Sequence, residues 1–198
     1  MRYGKRTIIA TVTAAFFTCA TPAVASDVGG GVAVEAAAAS LAPNQFVWAD
    51  VDTGEPVSIV INIAEQRAYV YRGAQMVAAA SVSTGKEGKD TPAGTFAILQ
   101  KKVDHRSNLY DNAPMPFMQR LTWDGVAIHA GKNPGYPASH GCVRVPTEFA
   151  KKLFAVTGLG TQVTVIGADG EVGPAYAPDS GSAEETASAN RTIEVAAR

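Results

Sequence analysis

A cysteine and two histidines lie close together in a stretch rich in glycine and proline, residues 126–144. The cysteine is Cys142, and His140 and His129 precede it by two and thirteen positions. A thiol attacks carbonyl groups as its thiolate, and an imidazole can take its proton. Gly141, directly before the thiol, allows main-chain amides to approach a tetrahedral oxyanion without obstruction by a side chain. This pattern indicates cysteine-dependent acyl transfer.

Other interpretations of the same residues stay open. A lone cysteine is commonly a small buried apolar residue, and spacing alone does not decide whether His129 or His140 is the base. His105 with these two histidines and Cys142 is also compatible with a zinc site in a binding protein. The spacings lack the compact pairs of structural zinc motifs, so we expect no metal and no cofactor.

The first 25 residues have the pattern of an export signal. Three basic residues precede an apolar run at positions 7–20, and Ala23-Val24-Ala25 provides the small-x-small cleavage pattern. The run is too short to span a bilayer, which needs roughly 20 residues. The sequence therefore predicts a protein that is exported to the periplasm or associated with the cell wall.

Charge and cysteine content depend on that cleavage. The full chain carries 17 basic and 18 acidic side chains, and cleavage leaves a net charge of −4. Without an excess of positive charge, nucleic acid is not an expected partner. Cleavage also removes Cys19, so Cys142 has no internal disulfide partner in an oxidising compartment.

Composition divides the remaining chain into three parts. Residues 26–43 are rich in glycine and alanine with little periodicity, which predicts a flexible N-terminal segment. Residues 44–167 are expected to form one catalytic domain of ordinary size. Residues 168–198 are rich in alanine, serine and acidic residues, which predicts a disordered acidic tail.

The domain must position the reactive residues mainly on strands. Apolar residues alternate from Val57 to Ile63, and β-type segments follow at 67–71 and 76–83, which predicts an antiparallel meander. Further strands are predicted at 95–99 and 161–166. Residues 121–123 and 126–129 are expected to pair through Asp124-Gly125 in a type I′ turn.

One helix is predicted near residues 146–157. It begins near Pro146, places Phe149, Leu153 and Val156 on one face, and ends at Gly158.

The segment Ser139-His140-Gly141-Cys142-Val143-Arg144, with His129 after an apolar strand, resembles the signature of the L,D-transpeptidase catalytic domain, the YkuD-type family. The resemblance extends over residues 56–167. It includes Ser83-Thr84-Gly85 with Thr91-Pro92-Ala93-Gly94, Met115-Pro116-Phe117-Met118 and Pro134-Gly135-Tyr136-Pro137-Ala138.

The resemblance implies a mainly β fold, a mixed β-sandwich or barrel with the one flanking helix. It also implies a reaction, in which a peptidoglycan stem tetrapeptide acylates the cysteine through a thioester, D-alanine is released and an amine takes the acyl group. The acceptor stays open between a second stem peptide, a lipoprotein and water. Water would make the protein an L,D-carboxypeptidase, and a wall-binding protein without turnover is a further alternative.

Carried over to this chain, the resemblance implies that Cys142 is the nucleophile and His129 its proton-transfer partner. The resemblance also implies an oxyanion hole at the amides of 141 and 142, with support of the pocket by Ser139 and His140. The Ala130 carbonyl is expected to orient the His129 ring, and Arg144 to organise the loop or bind a carboxylate. The implied substrate contacts are Phe117, Met118 and Tyr136.

Overall fold

A computed structural model describes residues 29–109 and 111–177. The predicted export signal lies outside these residues. The elements are α1 Gly29–Ala38, β1 Phe46–Trp48, β2 Val57–Asn62, β3 Arg67–Arg72, β4 Gln75–Ser81, β5 Gly94–Ala97, β6 Gln100–Lys102, β7 Met118–Arg120, β8 Ala127–Ala130, β9 Val143–Val145, α2 Thr147–Val156 and β10 Gln162–Ile166. Within the described residues, no helix has the length and apolar character needed to cross a membrane.

Ten strands form two sheets, which confirms the mainly β prediction, and neither sheet closes into a barrel. The larger sheet has the order β1-β4-β3-β2-β10-β5. Strands β2, β3 and β4 pair antiparallel with their sequence neighbours, as the predicted meander requires. The last strand, β10, inserts beside β2 in parallel and pairs antiparallel with β5.

The smaller sheet has the order β6-β7-β8-β9 and carries the reactive stretch. Its first three strands pair antiparallel, whereas β8 and β9 are parallel. One continuous core, which includes Ile61, Val82, Ile128 and Leu153, contains residues of both sheets and of α2. The two sheets therefore share their buried interior.

Helix α2 confirms the helix predicted near 146–157. Phe149 and Leu153 are fully buried, because their i, i+4 spacing places both on the face toward the core. The Phe149 ring meets the rings of Phe46 and Trp48 edge to face at 5.9 and 5.6 Å. This packing fixes α2 over β1.

A second helix, α1, lies within the stretch 26–43 that was predicted to be flexible, so this part of the prediction is wrong. Its buried residues Val34 and Ala38 pack with Met76 and Ala79 of β4. The sequence signal is weak, because three glycines open the helix and its apolar face is short. Tertiary burial against the sheet stabilises what local propensity does not.

The predicted hairpin exists, but its strand and turn positions were wrong. Strand β7 ends at Arg120 instead of covering 121–123, and the Gly125 amide closes a turn onto the Thr122 carbonyl at 3.3 Å. A type I′ turn requires positive φ at both central residues. Gly125 has a φ of 104°, whereas Asp124 does not have a positive φ.

The ordered part of the chain also extends beyond the predicted boundary at residue 167. Tyr176 stacks on Phe96 with ring centroids 5.8 Å apart, and its amide donates to the Thr95 carbonyl at 2.8 Å. Partial burial of this aromatic ring and the bridges Ile166–Val172 and Thr95–Ala175 hold the start of the predicted disordered tail on the domain. The rest of that tail, residues 178–198, lies outside the described residues.

Candidate active site

The alternation of side chains along strands places four residues of the smaller sheet on one face. Arg120 pairs with Ala127 across β7 and β8, and His129 pairs with Arg144 across β8 and β9. Because side chains two positions apart on a strand share a face, Ala127 and His129 point to the same side. The register therefore places two arginines and the predicted base on one surface.

That surface forms the floor of a cleft of about 560 Å³. Residues 105, 107–109 and 113–116 line it, together with His140, Cys142 and Thr147. None of the described lining residues is acidic, whereas the basic or imidazole-bearing ones are His105, Arg120, His129, Lys132, His140 and Arg144. The cleft is therefore suited to a ligand with carboxylate groups.

His129 is held in one tautomer. Its ring is 7% exposed, and Nδ1 lies 2.8 Å from the Ala130 carbonyl oxygen. Because a carbonyl only accepts hydrogen bonds, Nδ1 carries the proton and Nε2 keeps its lone pair. Burial lowers the pKa of His129 to about 4, assisted by the charge of Arg144. The imidazole is therefore neutral at pH 7 and able to accept a proton.

Cys142 is a partly buried free thiol that also lines the cleft. It rests against the apolar cluster of Met115, Met118 and Ala127, and Sγ donates to the Gly125 carbonyl at 3.4 Å. Burial raises the pKa of the Cys142 thiol, while the Ala127 amide and the two cleft arginines oppose that shift. The resting pair is thus a neutral thiol and a neutral imidazole.

The turn before Cys142 is held by Ser139. The Ser139 hydroxyl donates to the Cys142 carbonyl and accepts the Gly141 amide at 3.1 Å. The amide of Gly141 is therefore engaged within the turn, which corrects its assignment to the oxyanion hole. Gly141 has a φ of 111°, a conformation that residues with a side chain rarely adopt. The glycine is needed for the shape of the turn.

A second layer of hydrogen bonds connects this turn to the larger sheet. The Thr91 hydroxyl donates to the Gly141 carbonyl at 2.9 Å and accepts the Gly85 amide at 2.9 Å. The amide of Ser139 donates to the Thr84 carbonyl at 3.0 Å. Thr84 is itself bonded to the Gln66 side chain at 2.7 and 3.0 Å. These contacts explain physically why the 83–85 and 91–94 motifs accompany the cysteine motif.

The loop between His129 and Ser139 is tied to the N-terminal part of the domain. Asn133 is buried, and its side-chain amide donates to the Ser81 hydroxyl at 3.0 Å. The same hydroxyl accepts the Gln45 amide at 3.1 Å. Asn44 reaches the rim of the cleft. Residues before position 56 thus contribute to the shape of the cleft.

The three predicted substrate contacts do not line the cleft in the described part of the chain. Met118 is fully buried beneath Cys142, so it supports the thiol instead of touching a ligand. Phe117 packs edge to face on Phe154, with ring centroids 5.9 Å apart. Tyr136 is 61% exposed, and its main-chain carbonyl accepts the Ser83 hydroxyl at 2.8 Å.

The other predicted residues occupy several places around the cleft. His140 is exposed on the wall beside Cys142. The stem of Arg144 packs along Gly131, where a methyl group would lie 3.1 Å from Cγ. Ala130 supplies the carbonyl that orients His129, as the resemblance implied. Among residues 29–109 and 111–177, no three His, Cys, Asp or Glu side chains are placed to hold a metal ion.

Sequence reasoning missed Arg120 and Thr91. Arg120 stands two residues after Met118, a predicted substrate contact, and only the strand register shows that it faces the cleft. Thr91 belongs to a motif that was noted without a role.

A family model described as the L,D-transpeptidase catalytic domain matches residues 56–165, more than half of the chain. A protein named L,D-transpeptidase 1 from Mycobacterium tuberculosis is 26% identical over 132 residues, which cover 59% of this chain and 53% of that protein. A protein named probable L,D-transpeptidase YbiS from Escherichia coli is 32% identical over 134 residues, covering 54% of this chain and 44% of that protein.

The fold comparison agrees with the sequence comparison. A crystal structure of an L,D-transpeptidase from Stackebrandtia nassauensis superposes with a TM-score of 0.53 at 24% identity, covering 59% of this chain and 58% of that chain. This similarity concerns the fold. The chain spans about half the length of the curated relatives that it matches.

Proposed function

The chain belongs to the L,D-transpeptidase catalytic domain family, and from this premise we propose that it is an exported, cysteine-dependent L,D-transpeptidase of peptidoglycan. The acyl donor is a stem tetrapeptide, and the enzyme passes through a thioester on Cys142. The names of the relatives and the geometry of the cleft support this proposal.

In the first half-reaction, Sγ of Cys142 attacks the carbonyl carbon that precedes the terminal D-alanine. His129 Nε2 takes the thiol proton as the sulfur–carbon bond forms, since thiol and imidazole are both neutral at rest. The carbon–nitrogen bond then breaks. His129 returns the proton to the leaving nitrogen, and D-alanine departs.

In the second half-reaction, an amine attacks the thioester. His129 Nε2 takes a proton from the amine, and the sulfur leaves and recovers that proton. An amide bond replaces the thioester, so that the enzyme returns to its starting state.

The observation that carries the proposal is the shared placement of Cys142 and His129 on one open cleft. The Ala130 carbonyl fixes the His129 ring in the tautomer that a base requires. The Cys142 amide, which has no hydrogen-bond acceptor among the described residues, supports an oxyanion hole formed by that N–H.

The direct test incubates the mature protein with a defined disaccharide tetrapeptide and follows the products by mass spectrometry. We expect loss of D-alanine together with a transient acyl adduct on Cys142. A cross-linked dimer identifies a second stem peptide as acceptor, whereas a tripeptide product identifies water. Addition of a lysine-bearing lipoprotein peptide tests the remaining acceptor.

Cys142→Ala is the matched control, since it removes the sulfur from a partly buried site without adding volume. It should form neither adduct nor product while circular dichroism and thermal unfolding stay close to the wild type. Product formation by this variant would contradict the proposed mechanism. A folded wild-type protein that gives no adduct with any stem peptide would favour a wall-binding protein without turnover.

A further inference from the structure

Arg120 is a cation inside the cleft without a protein counter-ion. The side chain is partly buried, and it lines the cleft with Cys142. None of the acidic residues in 29–109 and 111–177 forms an ion pair with it. A guanidinium removed from water loses solvation free energy unless an anion or hydrogen-bond acceptors replace the water. The charge is therefore available to an anionic ligand that enters the cleft.

The orientation of the Arg120 side chain is fixed from two sides. Its Nε donates to Gln100 Oε1 at 3.1 Å, and the guanidinium carbon lies 5.8 Å from the centroid of the Trp123 ring. The Trp123 main-chain amide donates in turn to the Tyr176 hydroxyl at 3.1 Å. Both Nη groups are left without a hydrogen-bond acceptor among the described residues. These terminal groups form the donor pair that binds a carboxylate through two parallel hydrogen bonds.

The position of Arg120 relative to the thiol follows from strand register. Arg120 lies opposite Ala127, and Cys142 packs against the cluster that contains Ala127. The charge of Arg120 also acts on Cys142, in the direction that favours the thiolate. A ligand in the cleft can therefore contact the Arg120 guanidinium and Sγ together.

We propose that Arg120 is the carboxylate-binding residue of the acyl-donor subsite, and that it selects donors with a free carboxylate close to the bond that Cys142 attacks. The proposal rests on the proposed function for the identity of the donor. In a stem tetrapeptide, the carboxylate nearest to that bond belongs to the terminal D-alanine.

Alkylation of Cys142 tests the subsite without peptidoglycan. Iodoacetate and iodoacetamide both alkylate a thiolate, forming a sulfur–carbon bond and releasing iodide. Iodoacetate carries a carboxylate where iodoacetamide carries a neutral carboxamide. The measured quantity is the ratio of their second-order rate constants, relative to the same ratio for N-acetylcysteine. We expect the wild-type ratio to exceed that reference by roughly tenfold, because a charge-assisted hydrogen bond is retained only with iodoacetate.

Arg120→Gln should lower this ratio to the reference value, because only iodoacetate loses a charge-assisted hydrogen bond, whereas a smaller thiolate fraction slows both reagents equally. Arg120→Lys should keep part of the preference, because it retains the charge and loses the paired donors. The Arg120→Lys variant also provides a second test in case Arg120→Gln does not fold. Lys102→Gln is the matched control for long-range attraction. It removes a cation from an exposed position outside the cleft lining and should leave the ratio within about twofold at physiological ionic strength.

An unchanged ratio in Arg120→Gln would overturn the proposal. If both alkylation rates fall equally, so that the ratio stays the same, Arg120 acts on thiolate formation and not on the ligand.

Peptide donors then connect the subsite to the reaction. A tetrapeptide that ends in D-alaninamide should acylate the wild type more slowly than the free acid, and Arg120→Gln should remove most of that difference. If no stem peptide reacts but the iodoacetate preference holds, the proposed function fails and the carboxylate subsite stands. If stem peptides react without any dependence on the terminal carboxylate, the proposed function stands and the subsite fails.

Discussion

The two sheets of this domain use the same strand geometry for different purposes. In the larger sheet, β4 is buried over nearly its whole length, and Ile59, Ile61 and Val70 of the neighbouring strands fill the core. In the smaller sheet, one face joins that core through Ile128 and Val143, while the other carries Arg120 and His129 into a cleft.

The two sheets differ in what determines the positions of their side chains. Apolar burial stabilises the larger sheet, and each removed methyl or methylene group reduces that stability. The cleft face of the smaller sheet holds two arginines and a neutral imidazole close to a partly buried thiol. Their orientation depends on main-chain carbonyls and on the hydroxyl groups of Ser139 and Thr91. We therefore expect substitutions in the larger sheet to change stability, and substitutions on the cleft face to change chemistry.

The largest effect on chemistry is expected for Cys142→Ser. The hydroxyl is similar in size but far less acidic than the thiol, so the acylation rate should fall by at least about a thousandfold. Stopped-flow mass spectrometry of the adduct measures this rate, and urea unfolding checks the fold. A fall in the free energy of unfolding large enough to account for the lost rate would contradict the expectation that substitutions on the cleft face change chemistry and not stability.

The largest effect on stability is expected for Ile61→Ala in the centre of the larger sheet. Ile61 is fully buried, so truncation leaves a cavity and should lower the free energy of unfolding by about 3 kcal/mol. The acylation rate per folded molecule should stay within about twofold of the wild type. Exposed Val32→Ala is the matched control and should change stability by less than about 0.5 kcal/mol.

His129→Gln tests the cleft face for the proton-transfer step. Loss of the base should slow acylation by at least about a hundredfold at pH 7. In the wild type, the acylation rate should fall only as the pH approaches about 4, the pKa of His129, because the neutral imidazole is the active form. A near-normal rate in His129→Gln would transfer the role of base to His140, which His140→Gln tests directly.

The last prediction concerns stability and the same histidine. The pKa of His129 is lowered from its ordinary value of 6.5 to about 4 in the folded protein, so only the unfolded chain is protonated between these values. Stability is therefore complete above pH 6.5 and falls as the pH decreases toward 4, by at most about 3 kcal/mol. Urea unfolding between pH 7.5 and 4 should show this loss in the wild type and not in His129→Gln. Parallel pH curves for the two proteins would contradict the buried neutral imidazole.

The part of the fold that the sequence predicts is the part that local periodicity controls. The alternating run from Val57 and the 3.6-residue spacing of Phe149 and Leu153 gave β2 and α2 within one or two residues of their observed bounds. Helix α1 was missed because its stability comes from packing on β4. The packing of residues 172–176 was missed because it depends on bridges to Ile166 and Thr95 and on the ring of Tyr176.

For the candidate site, the sequence alone showed Cys142, His129 and His140 as a thiol and two imidazoles in one glycine-rich stretch, because the chemistry belongs to these residue types and their motif. The tertiary structure decided which atoms of the site can accept a proton or contact a ligand. It fixed Nδ1 of His129 to the Ala130 carbonyl, engaged the Gly141 amide with Ser139, placed Met118 under the thiol and brought Arg120 into the cleft. The placements of Met118 and Arg120 follow from strand register and burial, which depend on contacts between residues far apart in the chain and leave no pattern in the local sequence. The bonds of Nδ1 and of the Gly141 amide join near neighbours, and they depend on the backbone conformation that the fold imposes there.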